Sequence, residues 1–177
     1  MSNLGPNTGT SAGAVSGARR HDGWDEEVDV VVAGSGGAAL TGAYVAASSG
    51  LATVVVESTD RFGGTTAYSG AGLWLPANDA ERRAGVDDSA ELARAYYRAT
   101  VGQRTAASLQ DAFIDNAAPL VALLEQDPVL QFEWRPFPDY FSDRPGGLAQ
   151  GRNVFPLDLP MEELGSLVET MRPPAPD

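Results

Sequence analysis

Residues 28–57 read VDVVVAGSGGAALTGAYVAASSGLATVVVE, and the fold is decided there. Val28-Asp29-Val30-Val31-Val32-Ala33 is a short β-branched run of the kind that forms a strand buried on both faces. Gly34-Ser35-Gly36-Gly37 turns the chain. Ala38 to Ser49 is rich in Ala and small residues, which suits a helix packed closely on a sheet, and Gly50 closes it as a C-terminal cap. Leu51-Ala52-Thr53-Val54-Val55-Val56-Glu57 is a second strand that ends in an acid. Strand, helix and strand make one βαβ unit of about 30 residues with a right-handed crossover expected, so the fold class is α/β.

Within that unit Gly34-x-Gly36-x-x-Ala39 follows a strand and opens a helix, the setting in which a glycine fingerprint carries weight. Gly34 permits the tight turn, Gly36 lets a pyrophosphate approach the backbone, and Ala39 keeps the helix close to the strand. Phosphates would lie on the free N–H groups of the helix N-terminus, from Gly37 and Ala38 onward, at the positive end of its dipole. Glu57 lies 21 residues past Gly36, where a carboxylate accepts hydrogen bonds from an adenosine ribose and repels a 2′-phosphate. A dinucleotide other than NADP is the expected ligand.

The stretch from Ser58 to about Asn78 distinguishes FAD from NAD. It is too rich in Gly, Thr and Ser for a regular element and too apolar for an idle linker. Gly63-Gly64 followed by Thr65, Thr66, Ser69 and Gly70 offers backbone N–H groups and short hydroxyls that reach the ribityl and pyrophosphate of an extended flavin dinucleotide. A nicotinamide domain has no need of this second glycine loop. The expected cofactor site comprises Gly34, Ser35, Gly36, Gly37, Ala38, Ala39, Glu57, Ser58, Gly63, Gly64, Thr65, Thr66, Ser69 and Gly70.

Composition narrows the partners. Of 177 residues, 12 are Lys or Arg and 24 are Asp or Glu, a formal charge of −12 that repels nucleic acid and anionic membrane surfaces. There is no cysteine and the single histidine is His21. Disulfides, thiolate chemistry, His-based triads and multi-His metal sites are thereby excluded, and no metal is expected. No run approaches the roughly 20 apolar residues of a membrane span. Arg19-Arg20 is followed by His, Asp and Gly rather than an apolar stretch, against a twin-arginine export signal. The expectation is a cytoplasmic protein with no integral membrane segment.

Outside the βαβ unit, residues 1–24 hold hardly a large apolar side chain and read as a disordered tail. Residues 25–177 form the folded part, one compact unit by length. Asp88-Ser89-Ala90-Glu91 is a capped helix start, the helix running to Val101 before Gly102. A second helix spans about 105–126, with Leu109, Phe113, Ala117, Leu120 and Leu124 on its apolar stripe. Pro119 is expected to kink or restart it after Asn116, which serves as a new cap. Phe132 to Phe141 is strand-like and then an aromatic loop, residues 143–153 are turn-rich, and Met161 to Met171 is a short helix.

The run GSGGAALTGAYVAASSGLATVVVESTDRFGGTTAYSGAGLWLPAN resembles the amino-terminal flavin segment of 3-ketosteroid Δ1-dehydrogenases and related fumarate-reductase-type flavoproteins. The segment Phe132-Glu133-Trp134-Arg135-Pro136-Phe137-Pro138-Asp139-Tyr140-Phe141, with Pro156-Leu157-Asp158-Leu159 after it, is similar to the ketosteroid branch in particular. The resemblance implies an incomplete, Rossmann-like FAD-binding domain in which residues 137–160 border the substrate pocket. Phe137 and Tyr140 would line that pocket, the tyrosine also supporting a second tyrosine that acts as base. Without the resemblance, the same aromatics read equally well as core filling.

The implied reaction introduces a C1–C2 double bond into a 3-ketosteroid. A donor pair polarises the C3 carbonyl, a tyrosinate takes the C2 proton, flavin N5 accepts hydride from C1, and an external acceptor reoxidises the flavin. The family's base and its carbonyl donors lie in a later catalytic domain that this sequence lacks, so the 177-residue chain is expected to bind FAD weakly and to be inactive alone. Two other readings stand beside this one: a fumarate-reductase-like flavoenzyme acting on an unsaturated acid, and a truncated product with no enzymatic function.

Overall fold

The computed structural model describes residue 23 and residues 25–175. The tail expected over 1–24 lies outside the described residues apart from Gly23. Two compact units emerge. The first holds the described residues up to Ala67 together with Thr170–Pro173, and the second holds Tyr68–Glu169 with residues 174 and 175.

In the first unit, β1 (Val30–Ala33), α1 (Gly37–Ser48) and β2 (Thr53–Val56) form the βαβ motif. The strands pair in parallel, Val30 opposite Thr53 and Ala33 opposite Val56, a pairing that requires a crossover, which α1 provides. Gly50 follows the helix at φ 83°, a left-handed conformation that glycine takes at no steric cost. Helix α1 packs on both strands, with the small side chain of Ala43 buried beneath it. Within this chain Val31 is 63% exposed and Val56 48%, because α1 covers only one side of the pair. Thr170–Pro173 joins this unit through backbone bonds from Phe62 N–H to the Thr170 carbonyl (2.9 Å) and from Arg172 N–H to the Phe62 carbonyl (2.8 Å).

The glycine-rich stretch is less irregular than its composition implies. Residues Gly64–Tyr68 form a 3-10 helix, and β3 (Leu73–Trp74) follows in the second unit. Directly after it comes α2 (Asp79–Arg83), a helix the sequence reading passes over. Its signal is nevertheless present: Asn78 Oδ1 accepts the Glu81 N–H (3.1 Å) and Glu81 Oε2 accepts the Asn78 N–H (3.2 Å), a reciprocal capping box. Helix α3 (Ala90–Val101) starts as expected, with Ser89 Oγ accepting the Leu92 N–H, and ends at Gly102 with φ 61°.

Helix α4 (Ala107–Leu124) departs from expectation twice. Its buried stripe is Gln110, Ile114, Ala117, Val121 and Leu124, whereas Leu109 is 64% exposed and Phe113 38%. Gln110 can face inward because its amide nitrogen donates to the carbonyls of Gly102 (3.0 Å) and Thr105 (2.7 Å), so a polar residue takes the position that apolar periodicity assigned to its neighbour. The helix also runs through Pro119 without restarting. Asn116 is not a new cap, since its amide donates back to the Ala112 carbonyl at 2.7 Å.

Three antiparallel strands complete the second unit in the order β3-β5-β4, with β4 at Phe132–Trp134 and β5 at Asn153–Pro156. The central strand β5 falls where the sequence shows only the end of a turn-rich loop and a proline, yet its Val154 is fully buried. The helix expected over 161–171 is a 3-10 segment, Met161–Thr170, broken at Gly165. Among the described residues, no helix is long and apolar enough to cross a membrane, and no cluster of three or more His, Asp or Glu could hold a metal ion.

Candidate functional site

In the first unit the sequence motif becomes a cradle. Gly34, at φ 93°, makes the turn out of β1. Gly36 is the N-cap of α1, whose first turn carries no side-chain cap. The opening N–H groups of a helix have no intrahelical acceptor. Here the Gly37 N–H goes to Thr66 Oγ1 at 2.9 Å, while those of Ala38 and Ala39 stand at the open end, where an anion is favoured.

The second glycine loop lies on the first. A Cβ at Gly64 would stand 3.3 Å from Gly36 Cα, and Gly64 itself has φ 54°. A Cβ at Gly37 would meet Thr66 Oγ1 at 3.3 Å. At Gly64 two backbones thus approach more closely than most side chains permit, leaving main-chain N–H groups as the surface of the cradle.

Beside it, Ser35 is almost completely buried and acts as a brace. Its hydroxyl donates to Glu57 Oε2 at 2.5 Å and accepts the Gly63 N–H at 3.0 Å, linking both loops to the acid at the end of β2. The other carboxylate oxygen, Oε1, accepts from Ser58 Oγ (3.2 Å), from the Thr59 N–H (3.1 Å) and from Thr59 Oγ1 (3.2 Å). The Ser35 hydroxyl, and after it the Thr59 amide, hold the Glu57 carboxyl at a pKa of about 2, so it is ionised at neutral pH.

The structure thus brings together twelve of the expected cofactor residues, from Gly34 to Ala39, Glu57, Ser58 and Gly63 to Thr66. Ser69 and Gly70 fall in the second unit, both exposed, where Ser69 Oγ accepts the Ala71 N–H at 3.2 Å.

The second unit holds a cavity of about 290 Å³. Its floor is a stack of rings: Trp74 lies 5.7 Å from Tyr97 and 6.0 Å from Phe113, and Tyr97 lies 5.3 Å from Phe113, all near-parallel. Phe137 and Tyr140 line it as well and meet edge to face at 5.9 Å. In this chain Phe137 is 47% exposed and Tyr140 85%. Flat walls with few polar groups suit a flat apolar ligand.

Behind this wall is a network that sequence reasoning missed. Arg152 is fully buried and pairs with Asp88 (2.9 Å) and Asp139, whose side chains are buried too. Asp139 Oδ1 accepts the Trp74 indole N–H at 2.8 Å and Oδ2 accepts the Leu148 N–H at 2.9 Å. Asp139 stands in the quoted aromatic stretch, but an arginine in a turn-rich loop gives no sign in sequence of being buried. Close by, buried Glu81 keeps its proton at neutral pH: burial and, next, the charge of Asp88 push its pKa up to about 8.

A glycine-lined helix N-terminus faced by an ionised carboxylate, at the end of a parallel βαβ unit, defines a dinucleotide-binding protein. The chain belongs to the FAD binding domain family, which matches residues 29–176, and FAD is the dinucleotide concerned. It is 52% identical, over 81% of its length, to the 3-oxosteroid 1-dehydrogenase of Rhodococcus opacus. To the enzyme of that name from Mycolicibacterium smegmatis it is 38% identical over 84%. In structure, 84% of the chain matches the 3-ketosteroid delta1-dehydrogenase of Sterolibacterium denitrificans, solved in complex with 1,4-androstadiene-3,17-dione, with a TM-score of 0.75 and 29% identity. The chain spans 28%, 26% and 26% of the lengths of these three proteins respectively.

Proposed function

We propose that this chain supplies the dinucleotide end and one aromatic wall of the substrate site of an FAD-dependent 3-oxosteroid 1-dehydrogenase. The observation that carries the reading is the 52% identity to a protein of that name across 81% of the chain. The ring-lined cavity, to whose lining Phe137 and Tyr140 of the segment similar to the ketosteroid branch contribute, supports it.

In this reading the N–H groups of Gly36, Ala38 and Ala39, with the backbone at Gly63 and Gly64, hold the pyrophosphate, and Glu57 accepts from the adenosine ribose. FAD, when bound, supplies the acceptor for the hydride lost from C1 of the steroid. Trp74, Phe137 and Tyr140 present flat apolar surface to the ring system and keep water from it. Tyr140, with its phenol at the surface, donates a hydrogen bond to the tyrosine that takes the C2 proton, and an external electron acceptor completes the cycle.

The test is equilibrium titration of FAD fluorescence with the purified chain, and in parallel equilibrium dialysis of 4-androstene-3,17-dione. Weak flavin binding that is lost in Glu57→Ala and Gly36→Val is the expected result. Flavin binding insensitive to both substitutions would overturn the assignment of the cradle. Steroid binding unaffected by Phe137→Ala would overturn the assignment of the aromatic wall.

A further inference from the structure

Within this chain Phe137 and Tyr140 are too exposed for a surrounding core to fix their directions, yet a site for a rigid polycycle needs its walls fixed. The backbone between them is clamped. Phe137 N–H donates to the Gln150 carbonyl (3.2 Å) and Asp139 N–H to the Leu148 carbonyl (3.1 Å). Asn153 Nδ2 donates to the Phe137 carbonyl at 3.1 Å. Gly151 packs so closely that a Cβ there would overlap that carbonyl.

The Asp139 carboxylate lies at the centre of this clamp. One oxygen takes the indole N–H of Trp74, the floor of the cavity, and the other takes the Leu148 amide and the Arg152 guanidinium. Arg152 is in turn tied to Asp88 and to the Gly146 carbonyl at 2.7 Å. A buried ion pair is a weak source of stability, because well-packed apolar groups of similar size serve as well or better. What it supplies here is direction: a single carboxylate fixes both the Trp74 ring and the loop that carries the opposite wall.

We propose that Asp139, held by Arg152, is a positioning residue that sets the width of the aromatic cavity and so its selectivity for a flat polycyclic ligand. This rests on the reading of that cavity as the steroid site.

The test is equilibrium dialysis of 4-androstene-3,17-dione against the 177-residue chain, well below its unfolding temperature, for the unsubstituted protein, Phe137→Ala, Asp139→Ala and Asp139→Asn. Asp139→Ala should weaken binding about tenfold or more, since displacements of an ångström are costly in such sites. It should also lose near-UV dichroism from Trp74 while keeping its far-UV spectrum. Asp139→Asn, which keeps an acceptor for the indole, should recover part of both. A purely structural residue would lower the unfolding temperature and leave affinity in the folded state unchanged.

Steroid binding that falls in Phe137→Ala but not in Asp139→Ala overturns the positioning role and leaves the steroid reading intact. Where the unsubstituted chain, carrying one wall of the site, binds no steroid, the positioning role is decided by hydrogen exchange. Should the Asp139 variants not fold, hydrogen exchange in the unsubstituted chain decides. Slow exchange of the Phe137 and Leu148 amides without ligand supports a preset wall, and exchange at the rate of an open loop rules it out.

Discussion

Ser35 Oγ and Glu57 Oε2 stand 2.5 Å apart, and the serine between the two fingerprint glycines is the main cause that lowers the pKa of the acid at the end of β2. The folded pKa of about 2 is below the ordinary 4.5. Stability from this contact is therefore present above about pH 4.5 and lost as pH falls toward 2. In Ser35→Ala the Glu57 carboxyl should titrate closer to 4.5, as read from its side-chain carbon resonance by NMR. An unmoved titration would mean that the Ser58 and Thr59 donors hold the pKa down without the serine.

Glycine has two different meanings in the first unit. Gly64→Ala places a methyl 3.3 Å from Gly36 Cα at a residue with φ 54° and should cost about 1–2 kcal/mol in urea unfolding. Gly42→Ala sits within α1 with nothing inside 4 Å and should stabilise by roughly 0.5–1 kcal/mol.

Glu81 predicts an alkaline loss of stability. Its folded pKa, about 8, is raised from 4.5, so the native state holds a proton that the unfolded state releases. Stability should decline as pH rises from about 4.5 through about 8 and level off above. Glu81→Gln keeps the acceptor for the Asn78 amide and removes the titration. The difference between the two urea midpoints should thus shift in favour of the variant over that range, and parallel curves would contradict the assignment.

The α4 stripe makes a paired prediction. Ile114→Ala, at a residue 4% exposed, should cost about 2–5 kcal/mol. Leu109→Ala, at one 64% exposed, should stay within about 0.5 kcal/mol. Thermal unfolding of the two variants distinguishes the observed helix face from the one that apolar periodicity alone would choose.

Much of the first unit is legible in the sequence because its determinants are local. A β-branched run, a glycine turn, an alanine-rich helix and a terminal acid each fix their own backbone, and spacing brings Gly36 and Glu57 to the same end of β1 and β2. Capping at Ser89 and Gly102 is local too, so α3 needed no tertiary information. The capping box at Asn78 and Glu81 was also readable, although the glycine-rich composition just before it concealed it.

What tertiary structure alone decided depends on partners distant in sequence. Gln110 turns inward because the carbonyls of Gly102 and Thr105 are there to receive it. Val154 becomes the centre of a sheet because β3 and β4 pair on either side, and Arg152 can be buried because Asp88 and Asp139 meet it from 64 and 13 residues away. Periodicity ranks side chains by their affinity for water. It cannot register that a buried charge or amide has been matched by a group elsewhere in the chain, and on that matching the wall of the aromatic cavity depends.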